Sequence, residues 1–121
     1  MKDYRQGIRK ASPIASCVAA ATPVTLYTLP AGRTCVIRKV HIFNGNAAAT
    51  LVQIGTGLGA GYAQQIPSIY AVNGMDLELR QDDLPASEFT ATLTVQATVA
   101  AAAPNNVQVM VEVEEYQGPT G

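Results

Sequence analysis

Apolar and polar residues alternate along much of this 121-residue chain with a period of two. In residues 89–99 the odd positions are all apolar, and the even positions are threonine except for one glutamine. Residues 106–116 repeat the alternation with an inward set of Val107, Val109, Val111 and Val113, and residues 75–80 give a shorter example. Because successive side chains of a β-strand point to opposite faces, each segment is predicted to be a strand with one buried face. Such strands belong to an antiparallel sheet packed on a second layer.

One long predicted strand, residues 33–43, changes phase in its middle. Its apolar residues fall into two opposite phases, Cys35 and Ile37 followed by Val40 and Ile42. Arg38 and Lys39 stand at the switch. A one-residue β-bulge there would bring all four apolar side chains to one face and turn the two cations toward solvent. The alternative is a strand buried on both sides at one end, and the bulge is favoured because burying two adjacent unpaired cations is costly.

Turn-forming residues separate the predicted strands. Pro30-Ala31-Gly32 is predicted to close a hairpin between residues 24–29 and 33–43, because proline fixes φ and glycine tolerates positive φ. Asn44-Gly45-Asn46 is predicted to supply the next reversal, which leads into residues 50–54.

The remaining segments complete the strand count. The glycine-rich run at 55–61 is predicted to be a flexible connection, residues 66–70 a short strand, and residues 81–87 and 100–106 loops. Seven or eight short strands in one chain predict an all-β fold, a single antiparallel β-sandwich or jelly roll. We assign this domain to residues 22–117.

Residues 1–21 differ from the rest, and residues 118–121 form a short tail. Beyond Lys10 the amino-terminal segment reads "ASPIASCVAAA", which is small, apolar and without a period. A disordered tail is one interpretation. Its apolar content favours an extended arm that becomes ordered against a neighbouring subunit.

Charge is unevenly distributed along the chain. Residues 1–10 have a net charge of +3 and the remainder −4, with the basic side chains Lys2, Arg5, Arg9 and Lys10 in the arm. A basic arm on an acidic body favours docking onto an acidic neighbour, including another copy of the chain. Nucleic acid is the competing partner, but four cations make too small a footprint to favour it.

The two cysteines and the possible membrane signals each have a simple interpretation. Cys17 and Cys35 are predicted to be free thiols packed as small apolar groups rather than a disulfide. The "IASC" sequence at 14–17 has the form of a lipoprotein processing site, but the stretch after Lys10 is too short and Pro13 interrupts it. No run approaches the roughly 18 apolar residues of a membrane span, so no membrane partner is predicted.

No residue set with catalytic chemistry emerges. His41, the single histidine, is predicted to lie on the outward face of a strand with no nucleophile arranged beside it. Asp82-Asp83 with Glu88 lacks the alternating ligands of a calcium loop and is interpreted as a solvated acidic loop.

Two further patterns bear on binding or catalysis. The "GTGLGAG" run has the wrong glycine spacing for a phosphate loop, and no helix follows it. Glu112, Glu114 and Glu115 are predicted to be a solvated or subunit-facing edge rather than paired catalytic carboxylates. We therefore predict no enzyme activity, no cofactor and no metal site.

Two stretches carry a family resemblance. "TLYTLPAGRTCVIRKVHIFNGNAAATLVQIGTG" resembles a pattern of tailed-bacteriophage virion proteins, in which a Pro-Ala-Gly turn precedes a β-branched strand and an Asn-rich turn. "MDLELRQDDLPASEFTATLTVQATVA" is similar to their second half, and the likeness covers residues 24–115. It implies a small β-sandwich of the capsid decoration (cement) type. Decoration proteins commonly form trimers on the outer shell and clamp neighbouring capsomers.

The resulting expectation is a non-enzymatic decoration protein on the particle surface. It would be a homotrimer and would bind the major capsid protein or other virion proteins. The arm residues expected to contact the partner are Lys2, Arg5, Arg9, Lys10 and Ile14. The alternative is a tail, neck or fibre component, or a carbohydrate- or receptor-binding module with Tyr62 and Tyr70 facing the ligand.

Overall fold

The computed structural model describes residues 7–80, 88–101 and 105–117. Within these ranges the protein is built from eleven strands in two antiparallel sheets, with a single 3-10 turn at Gly59–Gly61. The strands are β1 Ile8–Ala11, β2 Ala15–Cys17, β3 Val24–Tyr27, β4 Arg33–Asn44, β5 Thr50–Thr56, β6 Ala63–Gln64, β7 Ile69–Ala71, β8 Asp76–Arg80, β9 Glu88–Phe89, β10 Leu93–Ala97 and β11 Val107–Gln117.

The first sheet is organised around two long neighbouring strands, β4 and β11. Strands β1 and β2 both pair with β11, and β8 and β9 both pair with β4, so each side of the central pair is flanked by an interrupted strand. The second sheet has the order β3-β10-β5, and the short strands β6 and β7 both pair with β5. This two-sheet arrangement confirms the predicted all-β sandwich.

The predicted bulge in β4 is present. Lys39 lies opposite Glu112 and Ile37 lies opposite Val113, which leaves Arg38 as the extra residue. The four apolar side chains on the two sides of the bulge are fully buried: Cys35, Ile37, Val40 and Ile42. The extra residue therefore corrects the phase of the strand while both cations remain partly exposed.

The core lies between the two sheets, and valine is its most frequent residue. The four valines predicted to point inward from β11 are fully buried. They pack in one cluster with side chains of the second sheet, among them Val52, Ile54, Leu93 and Val95. Full burial of one such aliphatic side chain contributes about 1.5–3 kcal/mol, so this alternation is a main source of stability.

The two predicted reversals form, but the predicted hairpin between residues 24–29 and 33–43 is wrong. The Arg33 N–H donates to the Pro30 carbonyl at 3.2 Å and Gly32 has φ of 76°, as in a tight turn. The chain nevertheless passes from β3 in the second sheet to β4 in the first. Both strands direct apolar side chains into the same core, so they pack across it rather than side by side.

The second reversal also crosses between sheets, from β4 to β5, and a buried asparagine organises it. The Asn44 amide donates to the carbonyls of Ala48 and Ala71, each at 3.0 Å. Its side-chain oxygen accepts the Asn46 N–H at 2.9 Å. These bonds satisfy a fully buried amide, and they explain why the corner carries asparagine.

Residues 89–99 are not one strand, and this prediction was wrong. Phe89 belongs to β9 in the first sheet, whereas Leu93 begins β10 in the second sheet. Two of the threonines on the predicted outward face instead make local contacts. Thr94 is 2% exposed and donates to the Gly57 carbonyl at 2.8 Å, and the Thr92 hydroxyl accepts the Leu29 N–H at 3.1 Å. Such interruptions account for eleven strands where seven or eight were predicted.

Gly55 shows that the glycine-rich run is partly strand rather than wholly a flexible connection. It lies within β5 and is buried. A Cβ atom at this position would lie 2.1 Å from the Ala63 carbonyl oxygen. Glycine is therefore required for the close approach of β5 and β6.

Candidate functional site

The amino-terminal edge, residues 7–17, is the described part of the predicted arm. β1 pairs with the carboxyl half of β11, from Ile8 opposite Glu115 to Ala11 opposite Glu112. β2 pairs with its amino half, and Ser12 bridges the interruption. The Ser12 N–H donates to the Val111 carbonyl at 2.8 Å, and the Val111 N–H donates to the Ser12 hydroxyl at 2.9 Å. This part of the arm continues the first sheet of its own chain.

The amino-terminal edge has little side-chain burial. All four residues of β1 are exposed, and only Ser12, Ala15 and Cys17 are buried in the rest of the segment. The Arg9 side chain lies 3.8 Å from Glu114 and the Lys10 ammonium lies 3.4 Å from Glu115. Ion pairs with an exposed partner contribute about 0–1 kcal/mol, so β1 is held mainly by backbone hydrogen bonds.

Glu115, the partner of Lys10, is a buried carboxylate. Its side chain is 1% exposed and accepts a hydrogen bond from the hydroxyl of Tyr27. Arg33 and Lys10 donate to the other carboxylate oxygen at 3.3 Å and 3.4 Å. Residues from β1, β3, β4 and β11 thus meet at one carboxylate. A buried charge is tolerated because it is paired and hydrogen-bonded.

Burial and close contacts within the cluster shift the pKa values of Glu115, Tyr27 and Cys35. Burial by itself would raise the pKa of Glu115, but the hydrogen bond from Tyr27 and the charges of Lys10 and Arg33 outweigh burial and lower it. Burial and the bond to Glu115 raise the pKa of Tyr27. Burial, with a smaller effect of Glu115, raises the pKa of Cys35 to about 11. At neutral pH the cluster therefore holds one carboxylate between a neutral phenol, a neutral thiol and two cations.

The prediction that Glu115 belongs to a solvated or subunit-facing edge was wrong. Position 115 continues the odd-numbered series that places the valines of β11 inward, so its side chain enters the interior. The acidic residue type favoured a solvent-exposed side chain at position 115, whereas the alternation favoured a buried one. The alternation was the correct signal, because every residue of β11 from Val107 to Gln117 has a partner on β4 and the extra residue of the bulge lies on β4.

The outer face of the first sheet carries a row of ion pairs. Arg38 donates to Glu114 at 2.9 Å through Nε, and this bond is the main cause of the lowered pKa of Glu114. His41 lies 3.3 Å from Glu112 and 3.8 Å from Glu78. The histidine is therefore partly exposed between two glutamates, as expected for a surface residue. Glu112 and Glu114 face outward as predicted.

The second sheet is chemically different from the first. None of its five strands, all of which are described, contains an Asp, Glu, Lys, Arg or His residue. On its outer face Leu51 lies directly opposite Tyr70, and both are exposed. Beside them Gln96 donates to Gln53 at 2.6 Å, and Gln53 donates to Ser68 at 3.2 Å. The two outer faces are thus a charged surface and an uncharged amide-rich surface.

The predicted partner-binding residues fall partly within the described chain. Lys2 and Arg5 lie outside the described residues. Arg9 and Lys10 lie on β1. Ile14, which is 61% exposed, follows β1 and lines a shallow groove with Phe43, Met110 and His41. The described cations and the apolar residue of the predicted set therefore share the amino-terminal edge.

Of the two predicted ligand-facing tyrosines, the structure supports exposure for one. Tyr70 is 61% exposed. The Tyr62 hydroxyl is buried and has no hydrogen-bond partner among the described residues, and burial raises its pKa, with a smaller effect of Cys17. Tyr62 is therefore partly exposed, with its hydroxyl turned into the protein. Asp82 and Asp83 lie outside the described residues.

Both cysteines are free and buried, as predicted. Cys17 lies opposite Val107 and Cys35 lies opposite Glu115, so they flank β11 eight residues apart along the strand. At about 3.4 Å per residue this is roughly 27 Å, far beyond the reach of a disulfide. Burial raises the pKa of Cys17 to about 11.

The described residues contain no group of three or more His, Cys, Asp and Glu side chains placed to hold a metal ion. They also include no helix with the length and apolarity needed to span a bilayer. Comparison of the chain with protein-family models and with curated proteins gave no match.

Proposed function

We propose that this chain is a non-enzymatic structural protein of a tailed-bacteriophage particle, a head decoration protein that stabilises the capsid. Support comes from the sequence resemblance over residues 24–115 and from the β-sandwich fold. In this proposal the protein is a homotrimer on the particle surface, and its amino-terminal arm and sandwich edges bridge neighbouring subunits of the major capsid protein.

The observation that carries the proposal is the exposed chemistry of the amino-terminal edge. Ile8 and Ile14 are 53% and 61% exposed and lie near Arg9 and Lys10 in the chain, and Val18, directly after the edge, is 49% exposed. Large exposed apolar side chains along one rim are typical of a surface that a partner covers. The cations add a preference for an acidic partner surface.

The mechanism is mechanical. β1 is an edge strand in the described strand order, so its outer side can accept a further strand from a partner. Covering the exposed aliphatic side chains at the same time buries apolar area on both proteins. Each bridging copy then increases the free energy needed to separate two capsid subunits.

Co-sedimentation tests the docking surface. Capsid shells of the phage whose genome encodes the chain, assembled without it, are mixed with the purified protein and pelleted. We expect wild type to pellet with the shells and Ile14→Asp to bind at least tenfold more weakly. Leu58→Asp is the matched control, since it places the same charge at a similarly exposed aliphatic residue between β5 and β6. Wild type left in the supernatant would contradict the proposal.

A second candidate function rests on Tyr70. An exposed tyrosine beside the Gln53–Gln96 pair offers an aromatic face and amide hydrogen bonds on an uncharged sheet, which suits a neutral glycan. This is the carbohydrate- or receptor-binding alternative, for example at the tip of a tail or fibre. A glycan array in which wild type binds and Tyr70→Ala does not would favour it, with Val99→Ala as the control for another exposed apolar residue.

A further inference from the structure

The amino-terminal edge is attached to the body by contacts that any copy of the chain could supply. Its backbone pairs with β11, and its cations Arg9 and Lys10 meet Glu114 and Glu115 of that strand. None of the β1 side chains is buried. The buried side chains of the edge, Ser12, Ala15 and Cys17, lie beyond β1. The whole segment regains the same pairing and burial when it leaves its own β11 for the identical strand of a neighbour.

The hinge that follows the edge, residues 18–23, is strained. Ala21 has φ of 49°, and it is the one non-glycine residue with positive φ in the described ranges. Alanine is disfavoured in this left-handed region because its Cβ approaches the backbone. The hinge residues before Pro23 are all exposed, and the Ala21 N–H is tied to the Ala97 carbonyl at 2.8 Å. An extended hinge would release this strain, and no buried side chain of residues 18–22 would become exposed.

Charge favours the same exchange. Residues 1–10 carry a net charge of +3, and the carboxyl half of β11 carries Glu112 and Glu114 on its outer face and the buried Glu115. The complementarity exists between copies as well as within one, so it brings the basic segment of one copy to the acidic strand of the next.

We propose that neighbouring copies exchange the amino-terminal edge, so that residues 7–17 of one copy pair with β11 of the next. The closed and exchanged forms share the same strand pairing and ion pairs, and they differ in the conformation of the hinge. Strained hinges are known to favour this outcome. The inference deepens the proposed function by naming the partner of the arm, and it is tested on the isolated protein.

Paired cysteine variants measure the exchange directly. Ala11 and Glu112 lie directly opposite each other on β1 and β11, at a spacing of about 4.5–5.5 Å between Cα atoms that a disulfide can bridge. After oxidation of A11C/E112C at high protein concentration, we expect a covalent multimer on a non-reducing denaturing gel. The matched control H41C/E78C joins β4 to β8 within the body and should give only a monomer. A monomer from both variants at every concentration would overturn the proposal.

A hinge variant provides a second readout that does not depend on introduced cysteines. Ala21→Gly removes the strain of the closed form, so light scattering should show roughly tenfold weaker self-association per exchanged hinge. Unchanged self-association would count against the exchange. The co-sedimentation assay with capsid shells is independent of both experiments. Interchain crosslinks without shell binding would contradict the decoration proposal and support the exchange. Shell binding by a protein that forms only intrachain crosslinks would support decoration and contradict the exchange.

Discussion

The hydroxyl of Tyr27 donates a hydrogen bond to the buried carboxylate of Glu115, and this bond joins the two sheets of the sandwich. Tyr27 belongs to β3 of the second sheet and Glu115 to β11 of the first. Lys10 and Arg33 complete the cluster from β1 and from the start of β4. One carboxylate on the last strand thus contacts side chains of β1, β3 and the start of β4.

Removing the Tyr27 hydroxyl should destabilise the fold. In Tyr27→Phe the buried carboxylate loses a donor, and an unsatisfied buried group costs about 1–3 kcal/mol. Urea denaturation followed by circular dichroism measures the free energy of unfolding. Tyr70→Phe is the control, because its side chain is exposed and the change should lie within about 0.5 kcal/mol. Equal effects of the two substitutions would show that the bond contributes nothing.

The lowered pKa of Glu115 predicts that the free energy of unfolding decreases at acidic pH. A carboxyl group whose pKa is lower in the folded than in the unfolded state stabilises the fold fully above its unfolded pKa, about 4.3. This contribution is lost as the pH falls through the lower folded value. Wild type should therefore lose stability below about pH 4, and Glu115→Gln should be less stable at pH 7 but have a shallower acid slope. Glu78→Gln controls for the loss of one negative charge at an exposed position, and an identical slope in Glu115→Gln and wild type would contradict the account.

The extra residue of the bulge at Arg38 should contribute more to the stability of the fold than the Arg38 side chain does. Deleting the residue restores a regular pairing, which must turn either Cys35 and Ile37 or Val40 and Ile42 away from the core. We expect the deletion variant to be unfolded by circular dichroism. Arg38→Ser keeps the residue count, loses the contacts with Glu114, and should remain folded with a loss of about 1 kcal/mol. A folded deletion variant of wild-type stability would refute the assigned register.

Buried thiols with a raised pKa should react slowly. Cys17 and Cys35 are fully buried and each has a pKa of about 11, so little thiolate exists at pH 8. Ellman's reagent should modify them in the native protein on the timescale of unfolding, and at once in 6 M guanidinium. Leu58→Cys adds an exposed thiol that should react immediately in the native state. Prompt native reaction of either original cysteine would contradict its burial.

The sequence predicted those features that depend on local alternation. The inward valines of β11 and the phase change at Arg38 are both visible as periods in the chain, and both are present. The sheet to which a strand belongs is not a local property. Pro30-Ala31-Gly32 specifies a reversal, but the apolar faces on both sides decide that β4 crosses the core rather than pairing with β3.

The buried cluster around Glu115 was harder to predict for a related reason. Glu115 had the correct parity for burial, yet burial of a glutamate depends on partners from distant positions, Lys10, Tyr27 and Arg33. Tyr62 likewise was proposed to face a ligand, and its hydroxyl is buried. Alternation reports the direction of a side chain, while its partners are set by the packing of the two sheets.

The most direct test of the central proposal is the thermal stability of capsid shells. Calorimetry compares shells alone, shells saturated with the protein, and shells mixed with Ile14→Asp. We predict that the saturated shells disassemble at a higher temperature and that the Ile14→Asp mixture behaves like shells alone. Shells that bind the protein but disassemble at an unchanged temperature would contradict a stabilising role.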